Sequence, residues 1–159
     1  FNIIGGIASH GKQSPKAVIK AYVNAVEKQS GKKMYKLIDK KIIKYIKDEN
    51  LQEHCKKAGA ALLKALKEVQ ERHPESVGDV RGVGLFLGFE FVKNDGNKTP
   101  DKDMALNVIE MLRDEHILTS VIGHYGNILK LRPPMVFSEN DIDWFATSLD
   151  KCITKLENK

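Results

Sequence analysis

The sequence predicts an α+β domain in which a small, mainly antiparallel sheet is covered by helices. Two observations predict this class. Apolar residues recur at helical spacing through most of the chain before Pro74, whereas residues 80–92 have the composition and alternation of a buried strand. One further helix, two short strands and a last helix follow, and a small sheet with helices on one face is the natural arrangement for that order.

The first part of the chain predicts an arm and three amphipathic helices. Residues 1–13 hold three glycines without a clear period, and Ser14 with Pro15 then forms a helix start. A second helix is expected at about residues 34–47 and a third after Asn50. The residues expected to face inward in the second helix are Ile38, Ile42, Tyr45 and Ile46. We divide the chain into an N-terminal arm and helix at residues 1–37, expected to be a docking segment, and a main domain at residues 38–159.

The second part predicts the sheet and its covering helices. Residues 80–92 are expected to form one strand, with Leu85, Leu87, Phe89 and Phe91 on one face. Thr99 is expected to cap a helix that has Pro100 at its first position. Two short strands are expected near residues 117–122 and 127–132, and two prolines end the second of them. The stretch from Ser138 to Asp141 resembles a capping box that begins the last helix.

Composition limits the possible partners. The net charge is +5, but only four of the 26 basic residues are arginines, and nucleic-acid surfaces usually use arginine with interleaved aromatic residues. We therefore expect protein partners, no specific nucleic acid, and at most peripheral contact with acidic surfaces; a basic nucleic-acid-binding module stays a minor alternative. No apolar run is long enough for a membrane span, and we expect no secretory signal. Cys55 and Cys152 lack metal or redox spacing, which favours a reducing compartment.

Four strings in the sequence carry a family likeness. They are residues 42–54 (IIKYIKDENLQEH), residues 77–92 (VGDVRGVGLFLGFEFV), the pair Thr99-Pro100, and residues 127–137 (NILKLRPPMVF). In this order they resemble the C-terminal small domain of class III pyridoxal-phosphate-dependent aminotransferases. Within that class they are most similar to the ethanolamine-phosphate and phosphohydroxylysine phospho-lyases. The resemblance covers about residues 38–156.

The resemblance implies a position for substrate contact. In transaminases of this class, a strand just before the paired prolines presents an arginine to a substrate carboxylate. Lys130 stands at that position here, as in the similar phospho-lyases, and Arg132 follows it. Lysine does not bind a carboxylate bidentately as arginine does, so this is a departure from transaminase chemistry. We predict that Lys130 and Arg132 are the substrate-facing remnant of the parent fold; the alternative is that both are surface charges.

The resemblance also implies which parts of the catalytic apparatus to look for. A pyridoxal-phosphate enzyme needs a Schiff-base lysine, an acidic partner for the pyridine nitrogen and a phosphate cradle. In this family all of them come from a large domain that precedes the small one. The family's Thr-x-Gly-Gly-Asn-Pro junction is replaced here by residues 28–33 (KQSGKK). We therefore expect no catalytic residue and no bound cofactor in this chain, and the five histidines show no metal-ligand spacing.

Two functional hypotheses follow. The first is a non-catalytic structural or accessory subunit of a larger, mitochondrial multiprotein assembly, with the N-terminal segment as its docking element; a cytoplasmic location is the alternative. The second is the C-terminal half of a split phospho-lyase or aminotransferase, active only with a separate large-domain chain. Under the first hypothesis the isolated chain is not a stable monomer, and residues 1–33 lie mainly against another chain.

Overall fold

The computed structural model describes residues 15–29, 31–33 and 40–158, which fall into two compact units, Phe1–Leu51 and Gln52–Lys159. The helices are α1 (Pro15–Glu27), α2 (Lys40–Asp48), α3 (Leu51–Arg72), α4 (Lys102–Asp114) and α5 (Glu139–Glu157). The strands are β1 (Val77–Val83), β2 (Phe86–Phe91), β3 (Ser120–Ile122) and β4 (Ile128–Leu131). In the part of the chain that the structure describes, no helix combines the length and apolar character needed to cross a membrane.

The first unit contains the helices predicted from its periodicity. Helix α1 begins at Pro15, as predicted, whereas Ser14, the arm and the domain boundary predicted between residues 37 and 38 lie outside the described residues. In α2, Ile42 and Tyr45 are 40% and 56% exposed, so the prediction that they face inward is wrong for this structure. The periodicity identifies an apolar stripe on a helix, but it does not supply a surface to cover that stripe.

The second unit is built on a four-stranded antiparallel sheet in the order β1-β2-β4-β3. One row of paired residues crosses its inner face, from Val80 through Phe89 and Leu129 to Val121. Phe89 and Leu129 are fully buried, in one apolar core with residues of α3, α4 and α5. The α+β class is confirmed. The strand that contains Phe89, β2, pairs with β4, the second of the two short strands, and β4 pairs in turn with β3, the first of them.

The single strand predicted at residues 80–92 is a hairpin. Strands β1 and β2 pair with each other, and Val83 opposite Phe86 closes a turn of two residues, Gly84 and Leu85. Gly84 has a φ of +54°, a conformation that turns of this kind require and that glycine adopts without a steric penalty. The prediction of one strand was wrong because the apolar alternation continues through Leu85, which is in the turn and still packs partly against the core.

Helix α3 lies very close to this turn at Gly59. A Cβ atom added to Gly59 would come within 2.2 Å of the carbonyl oxygen of Gly84, far inside van der Waals contact. Only a residue without a side chain permits this approach. Gly59 therefore fixes the distance between α3 and the hairpin, and the neighbouring residues Ala58 and Leu62 are buried in the core.

The two remaining helix starts differ in how well they follow the predictions. Ser138 caps α5 and forms a complete capping box with Asp141, as predicted, and hydrogen bonds from Ser138 lower the pKa of the Asp141 carboxyl. The prediction that Thr99 caps α4 is wrong, because Asp101 is the cap and accepts from the Met104 amide at 2.9 Å. The carbonyl oxygen of Thr99 instead accepts from the Lys93 amide at 2.7 Å, which extends the pairing beyond β2.

We predict that Gly59→Ala destabilises the second unit by about 1–3 kcal/mol, as overpacked core substitutions do. Alanine normally stabilises a helix relative to glycine by about 1 kcal/mol. A decrease in the free energy of unfolding would therefore indicate steric overlap with Gly84, and an increase would indicate that helix propensity alone decides. The matched control is Ala60→Gly at the exposed adjacent position. It should lower the free energy of unfolding only by the difference in helix propensity between alanine and glycine. The measurement is urea denaturation followed by circular dichroism. An increase in stability for Gly59→Ala would contradict the close approach.

Candidate functional site

The outer face of the sheet carries the residues predicted from sequence. Residues that pair directly lie on the same face, and successive residues of a strand alternate between faces. A row therefore crosses the outer face from Arg81 through Gly88 and Lys130 to Ser120, next to the buried row that contains Phe89. The helices pack on the inner face, so this outer face is left uncovered within the unit.

Lys130 occupies the centre of that row. It is half-buried on the inner strand β4, and its neighbour Gly88 projects no side chain over it. The Thr119 hydroxyl donates to the Lys130 carbonyl oxygen at 3.1 Å, which fixes the backbone between β3 and β4. Within residues 40–158 the ammonium group of Lys130 forms no ion pair. A half-buried cation without an anionic partner is suited to binding an anion.

Arg132 follows on the same side of the chain, one residue beyond the end of β4. Its guanidinium carbon lies 5.7 Å from the centroid of the exposed Phe86 ring. This cation–π contact is worth about 0.5–1 kcal/mol at an exposed site. Because an aromatic ring orients a guanidinium without neutralising it, Arg132 keeps its charge available. Successive residues on one face of a strand are roughly 7 Å apart, so Lys130 and Arg132 form a pair of neighbouring cations.

The opposite end of the outer face is electrically different. Arg81 donates to Asp79 at 2.6 Å and to Glu90 at 2.7 Å. These hydrogen bonds, that to Glu90 first, raise the pKa of Arg81. One cation between two carboxylates leaves this end with a net negative charge. The face is thus divided, and the cations free to bind an anion are at the Lys130 end.

A groove of about 490 Å3 opens at that end of β4. Its volume is within the range of roughly 300–1,000 Å3 that is usual for small-molecule sites. Its walls are mostly apolar and include exposed Leu118 and Trp144, and both Lys130 and Arg132 line it. Apolar walls with a few polar or charged groups are typical of small-molecule sites, and the charged groups here are Lys130, Arg132 and the carboxylate of Asp141. The structure therefore places both residues predicted from sequence on one groove, although their role stays a prediction.

Two residues of this site were missed in the sequence. Trp144 lies one residue before the buried Phe145, and its position off the apolar stripe of α5 could have identified it as an exposed aromatic residue. Phe86 was assigned to the interior of a long strand, so its exposure at a hairpin end could not be recognised. In the described part of the chain, no group of three histidine, cysteine or acidic residues is arranged to hold a metal ion.

The chain is similar to known enzymes over most of this unit. The sequence model of a family described as "Aminotransferase class-III" matches residues 24–153. Ethanolamine-phosphate phospho-lyase homolog 1 of Caenorhabditis elegans is 43% identical over 114 residues, which cover 71% of this chain and 24% of that protein. The mitochondrial alanine–glyoxylate aminotransferase 2 homolog 2 of Arabidopsis thaliana is 32% identical, over 72% of this chain and 24% of its own length.

A solved structure gives the same result for the fold. The phospholyase from Arthrobacter in complex with phosphoethanolamine superposes with a TM-score of 0.68 at 31% sequence identity. The match covers 71% of this chain and 26% of that chain. The chain thus spans about a quarter of the length of the relatives that it matches. The family resemblance noted in the sequence motifs is confirmed.

We predict that the chain binds inorganic phosphate weakly through Lys130 and Arg132. Each of the variants Lys130→Gln and Arg132→Gln should weaken the affinity about tenfold, because a charge-assisted hydrogen bond contributes ~1.5 kcal/mol. Lys57→Gln, on the exposed side of α3, is the control for general charge and should change little. Isothermal titration calorimetry provides the affinities. Equal affinity in all four proteins would show that the groove is not an anion site.

Proposed function

Because this chain belongs to the class III aminotransferase family, we propose that it forms the substrate-facing C-terminal part of a pyridoxal-phosphate-dependent phospho-lyase or aminotransferase. The observation that carries the proposal is that Lys130 and Arg132, which form no ion pair among the described residues, both line an apolar groove at the end of β4. The rest of the active site would come from the large domain that the relatives carry and that this chain does not span.

The expectation of no bound cofactor in this chain is wrong, because its family is pyridoxal-phosphate-dependent and a matched structure is a phospholyase in complex with phosphoethanolamine. That expectation was based on the absence of large-domain residues from this chain, and their absence does not show that the protein lacks a cofactor. The described residues fit an enzyme of this kind in one respect, since Lys130 and Arg132 can bind the anionic end of a substrate. When bound, pyridoxal phosphate supplies an electron sink for the carbon next to the substrate nitrogen.

The residues of this chain would act by binding and orienting the substrate. The Lys130 ammonium group binds the anionic end, and Arg132, oriented by Phe86, adds a second positive charge. Two cations favour a phosphate dianion over a carboxylate, which carries a single charge. The apolar groove walls keep water away and strengthen both electrostatic contacts. Lysine in place of a bidentate arginine therefore supports the phospho-lyase alternative over the aminotransferase.

Reconstitution with a large domain tests this proposal. We expect the chain, combined with pyridoxal phosphate and the large domain of the C. elegans relative, to release phosphate from phosphoethanolamine. Lys130→Gln should raise KM about tenfold with a smaller change in kcat, because it removes a binding interaction. The matched control Lys57→Gln should behave as the parent chain does. A complex that forms and holds the cofactor, yet is inactive or unaffected by Lys130→Gln, would contradict the proposal.

A second candidate is a structural or accessory subunit of a larger assembly. It is favoured by residues 28–33, which lack the threonine, asparagine and proline of the family's junction. The name of the Arabidopsis relative supports a mitochondrial location, which subcellular fractionation of a tagged chain would test. Native mass spectrometry of the purified assembly separates the two candidates: a partner with a Schiff-base lysine supports the enzyme, and partners without one support the subunit.

Both candidates require that another protein surface covers the outer face. Val83 and Leu118 are 88% and 86% exposed, and Phe86 is 58% exposed. Exposed apolar side chains at these positions are typical of interaction surfaces. We predict that the isolated chain self-associates in sedimentation velocity experiments and that Phe86→Ser with Leu118→Ser reduces this association. A monodisperse, cooperatively unfolding monomer would contradict the need for a partner.

A further inference from the structure

Helix α2 separates its apolar side chains completely from its charged ones. At about 100° per residue, its apolar residues share an arc of about 160° on one side of the helix. They are Ile42, Ile43, Tyr45 and Ile46. The charged residues share the other side, and they are Lys40, Lys41, Lys44, Lys47 and Asp48. Nothing in the proposed function uses this helix, which belongs to the first unit.

The apolar side of α2 is left uncovered by the described part of the chain. None of the residues of this helix is buried, and Ile42 and Tyr45 are 40% and 56% exposed. An isolated helix shorter than about 12–15 residues is only marginally stable in water, and most helices in proteins are stabilised by packing of an apolar face. A further surface is therefore needed to cover this side of α2.

The charges on α2 determine which kind of surface fits. Four lysines and one aspartate give the helix a net charge of +3. Asp48 forms an ion pair with Lys44, one turn away on the charged side. Lys41 and Lys47 stand at the two borders of the apolar arc, and a lysine with its long stem on apolar surface can extend its ammonium group outward. The apolar arc is thus bordered by positive charge on both sides, which is complementary to an anionic surface.

We propose that α2 is an interfacial helix through which the protein binds an anionic lipid membrane. The apolar arc lies at the boundary between the headgroups and the acyl chains, and the lysines contact lipid phosphate and carboxylate groups. Tyr45 is next to Lys41 at one border of the arc, and an aromatic ring with a polar hydroxyl is favourable at a membrane surface. The proposal does not depend on the groove at Lys130.

The spacing of the apolar residues favours a lipid surface over the groove of an acidic protein. A helix that docks in a protein groove presents anchors at positions i, i+3, i+4 and i+7. Ile42, Tyr45 and Ile46 supply the first three, but the i+7 position is Glu49, which is exposed and acidic. A membrane requires no such anchor, because it is a continuous apolar layer beneath an anionic surface. An acidic protein partner is the alternative outcome of the test.

Vesicle flotation tests the proposal on the complete chain, because bound protein floats with the lipid and self-associated protein does not. We expect weak binding to phosphatidylcholine vesicles and at least about tenfold tighter binding to vesicles with about 30 mol% phosphatidylserine. Raising the salt concentration to about 0.5 M should remove most of this gain, since salt screens the lysines. Equal binding to both kinds of vesicle would overturn the proposal.

Lysine variants test the charged side of the helix. Lys41→Gln and Lys47→Gln should each weaken binding to the anionic vesicles about fivefold, which corresponds to the attraction of one basic residue near such a surface. Lys57→Gln, on the exposed side of α3, is the control for net charge and should bind nearly as the parent chain does. An equal loss in all three variants would show that the whole basic chain is attracted and not α2, and would overturn the proposal.

An apolar variant separates a membrane from an acidic protein partner. Tyr45→Ser should weaken vesicle binding about tenfold, because it removes the burial of one large side chain. Val136→Ser, at a position 63% exposed in the second unit, is the matched control and should bind as the parent chain does. Soluble polyglutamate, which offers charge without an apolar layer, should bind only weakly. Polyglutamate binding as tight as vesicle binding, with Tyr45→Ser unaffected, would show that an acidic polymer is the fitting partner and would overturn the proposal.

A fluorescence measurement keeps the result independent of any folding defect in that variant. The chain has a single tryptophan, Trp144, so Tyr45→Trp combined with Trp144→Phe carries its only tryptophan on α2. Its emission should be quenched by phosphatidylserine vesicles whose acyl chains are brominated near the headgroup, and less by bromine at the chain ends. Binding without quenching would show that α2 does not enter the interface and would overturn the proposal.

Discussion

The backbone contact between Gly59 and Gly84 is the constraint on which the second unit depends. The hairpin reverses at Gly84, and α3 passes very close to that turn. The backbone of Gly84 therefore leaves no space for a side chain at position 59. With α3 at this distance, Leu62, Leu66 and Phe89 meet in one core without exposure. A larger residue at Gly59 would lift the helix from the sheet, and every apolar contact on the inner face would lengthen with it.

The same packing leaves the proposed binding residues on the other face. Because the helices cover only the inner face, Lys130 and Arg132 share the outer face with exposed apolar residues such as Phe86. Within that face, Arg81 forms ion pairs with two carboxylates, which leaves the Lys130 end as the proposed site for an anion. The fold thus separates a surface that stabilises the unit from the surface that we propose binds other molecules.

The sequence predicted the elements of the second unit better than their ends. The capping residue Ser138 and the strand-ending prolines after Arg132 have local causes, so their positions could be predicted. The start of α4 could not, because Thr99 is drawn into pairing with the chain beside β2, a contact between residues that only the fold brings together. The hairpin was missed for a local reason, because the apolar alternation of β1 and β2 continues through the turn between them without a visible break in the sequence.

Prediction of the candidate site shows the same division. The positions of Lys130 and Arg132 were predicted from the family motif, and strand alternation places them on one face. The groove beside them could not be predicted, because Leu118 and Trp144 come from segments that no local pattern relates. The contacts of His73 with Asp150 and Glu157 are the extreme case, since more than 70 residues separate these partners in the chain.

The irregular register at the start of β1 has a consequence for the way in which this protein can associate. The pairing of β1 with β2 shifts between Val77 and Asp79, and the charged Asp79 and Arg81 follow on an outer strand of the sheet. Bulges and charges on an edge strand obstruct the addition of a further strand from another molecule. The opposite edge, β3, offers only three residues. Contacts between copies would therefore form face to face through side chains, and not through continuous backbone pairing into fibrils.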